Sequence, residues 1–281
     1  MNSRKDILAS LHAHRGILFV GMLFLFAIII SCASHSPQTN KLAFVSEEEE
    51  LSLGKRLQVQ AVKQLKIIRN QEISSFFNKI AADIGAQSDW KALPYQVFIV
   101  NEPDLNHFSL PGGSIFVFRG IIDISDTASE VALIIAHEIA HLVARDGVDR
   151  LSAKYAFAFA AQSVIGENPE IPYQIISNLY SDGTILDYPE ENEYLADERA
   201  IKYAWKANYD PSALLTIMEK IRDTQEVDPE KVALLNLTHP SIVKRYKRAR
   251  VEVMEAPYKT SLRKDLPDFK NIKNLLSRIP R

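Results

Sequence analysis

A chain of 281 residues has room for two average domains or one larger one. Its 47% hydrophobic and 24% charged content is that of a packed globular protein, and 10 Gly with 13 Pro exclude a collagen-like or linker-dominated chain. A single Cys excludes a disulfide scaffold or a Cys-based zinc finger, and 33 Lys+Arg against 35 Asp+Glu leave no footprint for a nucleic-acid partner.

At the start of the chain, Arg4, Lys5 and Arg15 precede an apolar run from Gly16 to Ile30. That run falls short of the about 20 residues a membrane helix needs and suits the apolar segment of a secretory signal peptide. It ends in Ile29-Ile30-Ser31-Cys32, which resembles the lipobox of bacterial lipoproteins. The resemblance implies removal of residues 1–31 and acylation of Cys32, and two or more acyl chains anchor stably where one does not. Ala33 after the Cys is similar to an outer-membrane sorting signal. The competing reading is an uncleaved anchor with an incidental Cys. Residues 32–45 are then a polar tether with too little apolar content to fold.

Ser46 and Glu49 form an S-x-x-E capping box, which turns the acidic run Glu47–Glu50 into a helix start. Helices are predicted over 46–67 and 72–85. Tyr95–Asn101 and Ser114–Phe118 are strand-like, and Leu110-Pro111-Gly112-Gly113 between them signals a turn. From Thr127 the periodicity is helical, over about 127–145, 150–165, 171–180, 189–207, 211–223 and 240–254. No repeat of 20–50 residues is present. The fold class is therefore α+β and mostly helical, with a small β-sheet. A folded domain over 46–255 is expected to precede a basic tail over 256–281. The last 41 residues hold twelve Lys+Arg against four Asp+Glu. Such an end could dock on anionic lipid or an acidic partner, although a solvated helix face is the commoner explanation.

The chemistry is concentrated in Val131–Val143, where His137-Glu138-Ile139-Ala140-His141 lies inside an apolar helix. Two His four residues apart share one helix face and can share one ion. Glu138, about 100° round, reaches a metal-bound water without ligating. This composition predicts roughly 0.01 chance occurrences of the pattern. Burying two His and a Glu costs several kcal/mol unless something compensates them, and a metal does. Catalytic zinc takes three protein ligands and a water, so a third ligand must come from elsewhere. His107, His239 and the acids are the candidates. Glu193 and Asp197 lie one turn apart, with spacing that suits a ligand and an acceptor for a ligand-His N–H. Glu219 and Asp223 repeat that spacing, which alone decides nothing.

His137-Glu138-x-x-His141, then Glu193-Tyr194-Leu195-Ala196-Asp197, then Thr238-His239-Pro240 with Arg245, resemble the HtpX/CAAX-prenyl-protease family of zinc metallopeptidases. Asn106–Val117 is similar to that family's N-x-F-x-L-P-G-G segment, and Ser46–Gly54 to its N-terminal stretch. The match covers roughly 46–250. It implies a zincin-like domain with the sheet packed on the active-site helix. It also implies one Zn2+ on His137, His141 and Glu193, Glu138 as general base and Asp197 as support for a ligand. His239 falls where the family has a histidine close to the metal, either donating to the transition-state oxyanion or occupying the open metal position at rest. A surface His-Pro helix start is the plainer alternative. His107 stands where the family more often has a small residue, and receives no catalytic role. The apolar piece Tyr155–Gly166 would pack on the core or cover the cleft.

The activity so implied is hydrolysis of peptide bonds in unfolded or misfolded envelope proteins. Extended polypeptide is expected to bind along an edge strand, Ser114–Phe118. The expected location is the outer membrane, facing the periplasm, held by lipidated Cys32, with possible envelope-assembly partners and no nucleic acid. The alternative is a chaperone or assembly factor for outer-membrane proteins that cuts little or not at all.

Overall fold

The capping box forms as expected. In the computed structural model, which describes residues 45–154 and 188–281, the Ser46 hydroxyl accepts from Glu49 N–H at 3.2 Å. The Glu49 carboxylate in turn accepts from Ser46 N–H at 2.7 Å. Helix α1 (Glu47–Gln64) starts there, with Glu47–Glu50 in its positive first turn and Leu53, Leu57 and Ala61 buried along one stripe. Helix α2 (Gln71–Gly85) is capped by Asn70, whose side chain accepts from Ile73 N–H, and buries Ile73, Phe77, Ile80 and Ile84. The signal segment, Cys32, nearly all of the tether and the helices expected between 155 and 187 lie outside the described residues.

Three strands follow: β1 (Gln96–Val100), β2 (His107–Leu110) and β3 (Ser114–Phe118), in the order β1-β3-β2. β3 runs parallel to β1 and antiparallel to β2. This corrects the expectation that Ser114–Phe118 is an edge. It is the central strand, and its backbone groups already pair on both sides. The edge nearest the site is β2, a strand hidden in what reads as loop, because all four of its residues are buried and no polar alternation marks it. The turn from β2 to β3 uses Gly112 and Gly113 at φ 84° and 102°, left-handed values that Gly adopts without steric cost. Gly54 of α1 lies against this turn so closely that a Cβ there would sit 2.0 Å from Pro111 O.

After α3 (Arg119–Ile124) comes α4 (Ala128–Ala144), nearly every residue of which is buried. A helix that is apolar all round belongs inside a fold. It packs against β2, β3 and α2 on one side and against α5 (Glu190–Lys206) and α6 (Ala213–Val227) on the other. Arg145 ends α4 in the left-handed conformation, φ 59°, and the chain resumes helically over 146–154. A 3-10 turn over Pro229–Val232 leads to α7 (Ala233–Thr238), α8 (Ile242–Glu255) and α9 (Phe269–Ser277). The structure is thus mostly helical with one small sheet packed on α4. Among the described residues no helix is long and apolar enough to cross a membrane.

The stretch 256–281 is not a free tail. Phe269, Ile272 and Leu276 of α9 are buried, and α9 packs on α2. Asn101 Nδ2 donates to Pro280 O at 2.6 Å, and Arg119 Nη1 donates to Ile279 O at 2.8 Å. Between the basic residues, Phe269, Ile272 and Leu276 recur at a spacing of three and four, the mark of a packed helix.

Candidate metal centre

α4 stacks His137 and His141 one turn apart, and their Nε2 atoms lie 3.0 Å from each other. Each ring is turned by a carboxylate behind it. His137 Nδ1 is 2.9 Å from Asp197 Oδ1, and His141 Nδ1 is 2.9 Å from Asp146 Oδ2. A neutral imidazole carries one hydrogen, and here it belongs on Nδ1, where a carboxylate accepts it. In that neutral form the two Nε2 lone pairs converge on one point, an arrangement that only a shared proton or a metal ion relieves in a buried site. Glu193 adds its carboxylate to the same point, Oε1 at 3.2 Å from His141 Nε2 and Oε2 at 3.5 Å from His137 Nε2. His239 Nδ1 approaches from the turn after α7, 3.1 Å from Glu193 Oε1 and 3.4 Å from His137 Nε2. His137, His141, Glu193 and His239 are all buried, with one donor atom from each within 4.8 Å of the others. Converging nitrogen lone pairs and a carboxylate with no hydrogen to share fit a divalent cation of the zinc type.

A guanidinium braces this group. Arg245 of α8 donates through Nε and Nη2 to Asp197 Oδ2 and Oδ1, at 2.8 and 2.7 Å, and through Nη1 to Glu193 Oε2 at 2.7 Å. The planar fork grips Asp197 with two parallel N–H donors and still reaches Glu193 with a third, a geometry that the point charge of Lys does not reproduce. Asp146 is held from its other side by Asn192 Nδ2 at 2.9 Å. Tyr188 stacks on the His141 ring, 4.2 Å between centroids.

Glu138 occupies a different face of α4, fully buried. His107 of β2 places Nδ1 2.5 Å from Glu138 Oε1, and His239 Nε2 lies 3.5 Å from the same oxygen. Among the described residues, Glu138 Oε2 and His239 Nε2 are buried without a hydrogen-bond partner. The rings of His107 and His239 stack at 4.5 Å.

Electrostatics follow from these contacts. Burial alone would disfavour the charged form of His141, but Asp146 and Glu193 outweigh it and push its pKa up to about 10. Burial would likewise raise Asp197. The charge and hydrogen bonds of Arg245, with help from His137, instead bring it down to about 2. Glu193 is held well below the usual carboxylate range, burial being overcome by His239 and Arg245. Burial and the neighbouring His239 push His107 down to about 3, so its ring is neutral. Glu138 is also lowered, since the hydrogen bond from His107 and the field of His239 prevail over burial.

The structure brings together His137, Glu138, His141, Glu193, Asp197 and His239. His239 is buried, so the surface helix-start reading does not hold for it. The second copy of the spacing goes elsewhere: Glu219 accepts from Tyr246 and Asp223 from Arg222. Three neighbours escaped the sequence. His107, read as having no part in the site, touches Glu138. Asp146 returns to His141 only because Arg145 reverses the chain, which spacing does not announce. Arg245 was visible only as one letter of a motif, without its two carboxylate partners.

A model described as Peptidase family M48 matches residues 68–253. The mitochondrial metalloendopeptidase OMA1 of Schizosaccharomyces pombe is 28% identical over 187 residues, 66% of this chain and 54% of that protein. OMA1 of Arabidopsis thaliana is 29% identical over 194 residues, 69% of this chain and 39% of that one. The beta-barrel assembly-enhancing protease of Escherichia coli K12 is 24% identical over 206 residues, 68% of this chain and 42% of that protein. The chain thus spans about half or less of the length of these relatives.

Proposed function

The chain belongs to peptidase family M48, and from that premise we propose that it is a zinc-dependent endopeptidase acting on unfolded or misfolded proteins of the cell envelope. The carrying observation is the pair of His137 and His141 lone pairs aimed with Glu193 at one point, beside a buried Glu138 whose Oε2 lacks a partner. His137, His141 and Glu193 hold one zinc, with Asp197 and Asp146 orienting the two imidazoles. Zinc, when bound, supplies a Lewis acid that polarises a carbonyl and acidifies water. Glu138 Oε2 takes the proton of the attacking water and returns it to the leaving amine. His107 and His239 keep Glu138 ionised and ready to accept.

His239 presents Nδ1 to the ligand group and Nε2 to Glu138. The first contact supports occupancy of the open metal position at rest, and the second supports donation near the reacting carbonyl. Extended substrate pairs main chain to main chain along β2, the edge strand beside α4, so recognition favours unfolded segments over a fixed sequence. Lipidated Cys32 would hold the enzyme at the outer membrane facing the periplasm, where envelope-assembly partners are its neighbours. Intact mass of the membrane-extracted chain tests that anchor. The Escherichia coli relative is named for both assembly and proteolysis. A non-cutting assembly factor would have no use for Glu138, which stands outside the ligand group.

The deciding experiment compares wild type with Glu138→Gln on an unfolded polypeptide while zinc is measured. The variant should keep about one zinc per chain and lose about 10²–10⁴-fold in rate. Undiminished hydrolysis would remove Glu138 as base, and loss of zinc would place it among the ligands.

A further inference from the structure

We infer that His107, Glu138 and His239 form a second, weaker site for a divalent cation of the zinc type, beside the one held by His137, His141 and Glu193, and that filling it silences the enzyme. The silencing rests on the reading of Glu138 as base; the metal site does not. The three side chains come from β2, α4 and the turn after α7, all are buried, and one donor atom from each lies within 4.8 Å of the others.

Two of these residues carry buried atoms without a hydrogen-bond partner among the described residues. Glu138 Oε2 lacks a partner, and so does His239 Nε2. His239 Nδ1 sits 3.1 Å from the Glu193 carboxylate, so the neutral ring keeps its hydrogen there and turns an Nε2 lone pair towards Glu138. His107 stacks on His239 and directs Nδ1 at Glu138. Moving its hydrogen to Nε2 makes Nδ1 a ligand, and both imidazoles bind in their neutral form. Two imidazoles and a carboxylate are a donor set that zinc accepts.

The charge count points the same way. With the imidazoles in their neutral, metal-binding form, the carboxylates of Glu138, Asp146, Glu193 and Asp197 face the guanidinium of Arg245 among the described residues. A first divalent cation leaves one negative charge uncompensated in a dry site, and a second ion is drawn to it. The carboxylate of Glu138 then serves as a ligand and no longer receives a proton from water.

The test is a zinc titration of the full chain by equilibrium dialysis and elemental analysis, with hydrolysis of an unfolded polypeptide followed in parallel. Bound zinc should rise from about one to about two per chain as free zinc increases, with the rate falling over the same range and recovering on partial chelation. His107→Phe should keep the first zinc and need at least about tenfold more free zinc for the second and for the inhibition. If Phe prevents folding, His107→Gln keeps a polar side chain against Glu138 without an imidazole, and should behave the same way. Stoichiometry fixed at one, or a second zinc bound as tightly without His107, would overturn the site. Two zinc ions with an undiminished rate would overturn the silencing and Glu138's role as base. A chain that binds no zinc at any concentration would overturn the proposed function as well.

Discussion

The two faces of the metal centre differ in how fully their polar atoms are partnered. On the holding face, Arg245, Asp197, Asp146 and Asn192 satisfy both oxygens of each aspartate and fix the His137 and His141 rings from behind. On the reacting face, Glu138 and His239 each keep one buried atom without a partner. Bracing sets ligand geometry and tautomer before a metal arrives. Lone pairs left bare in a buried site are costly, and folds keep them where chemistry needs them. One face is built to stay still and the other to exchange protons.

The strongest way to break that contrast is to remove the brace. Arg245→Leu leaves Asp197 and Glu193 buried and uncompensated, and should destabilise the metal-free protein by about 3–5 kcal/mol. Denaturant unfolding with chelator and with zinc would check this, and zinc should recover part of the loss by taking over the charge. On the other face, His239→Ala should leave zinc content and folding nearly unchanged. If the ring acts as a donor, kcat should fall about 10²–10³-fold; if it blocks the metal at rest, activity should rise. A change within about twofold would remove His239 from the reaction. Asp146→Asn is milder, because the ring of His141 keeps a neutral acceptor, and zinc affinity should weaken by about 10–100-fold.

The smallest effect is a pH dependence. His141 in the metal-free protein is raised to about 10 by Asp146 and Glu193 against the pull of burial. A raised pKa contributes stability that is complete below the unfolded value of about 6.5 and is lost as pH climbs to about 10. Melting curves of chelated protein should therefore fall across that window, and those of zinc-loaded protein should not, since the ion replaces the proton. Equal slopes would mean that His141 does not carry that charge.

The same contrast governs what could be read from sequence. The helix bearing His137, Glu138 and His141 and the one bearing Glu193 and Asp197 were legible, because helical spacing converts directly into a shared face. The capping box at Ser46 was legible for the same local reason. What stayed hidden depends on tertiary geometry. β2 is four buried residues with no alternation, so His107 looked like part of a loop. β3 reads as a strand, but nothing in Ser114–Phe118 says that it has neighbours on both sides. Asp146 needs the left-handed turn at Arg145, and Arg245 needs α8 to dock on α5.

The contact between Gly54 and the Pro111–Gly112 turn bears on how the scaffold can evolve. There two backbones meet with no side chain between them, so substitution has nothing to adjust on that wall and can only force it apart. Pro111 also borders a cavity of about 10 Å³ beside His141, room for one water, lined among others by Ser109, Leu142, Val148 and Tyr188. A methyl group at Gly54 would therefore push the Pro111 backbone towards that recess and alter the packing beside His141, with no side chain there able to yield.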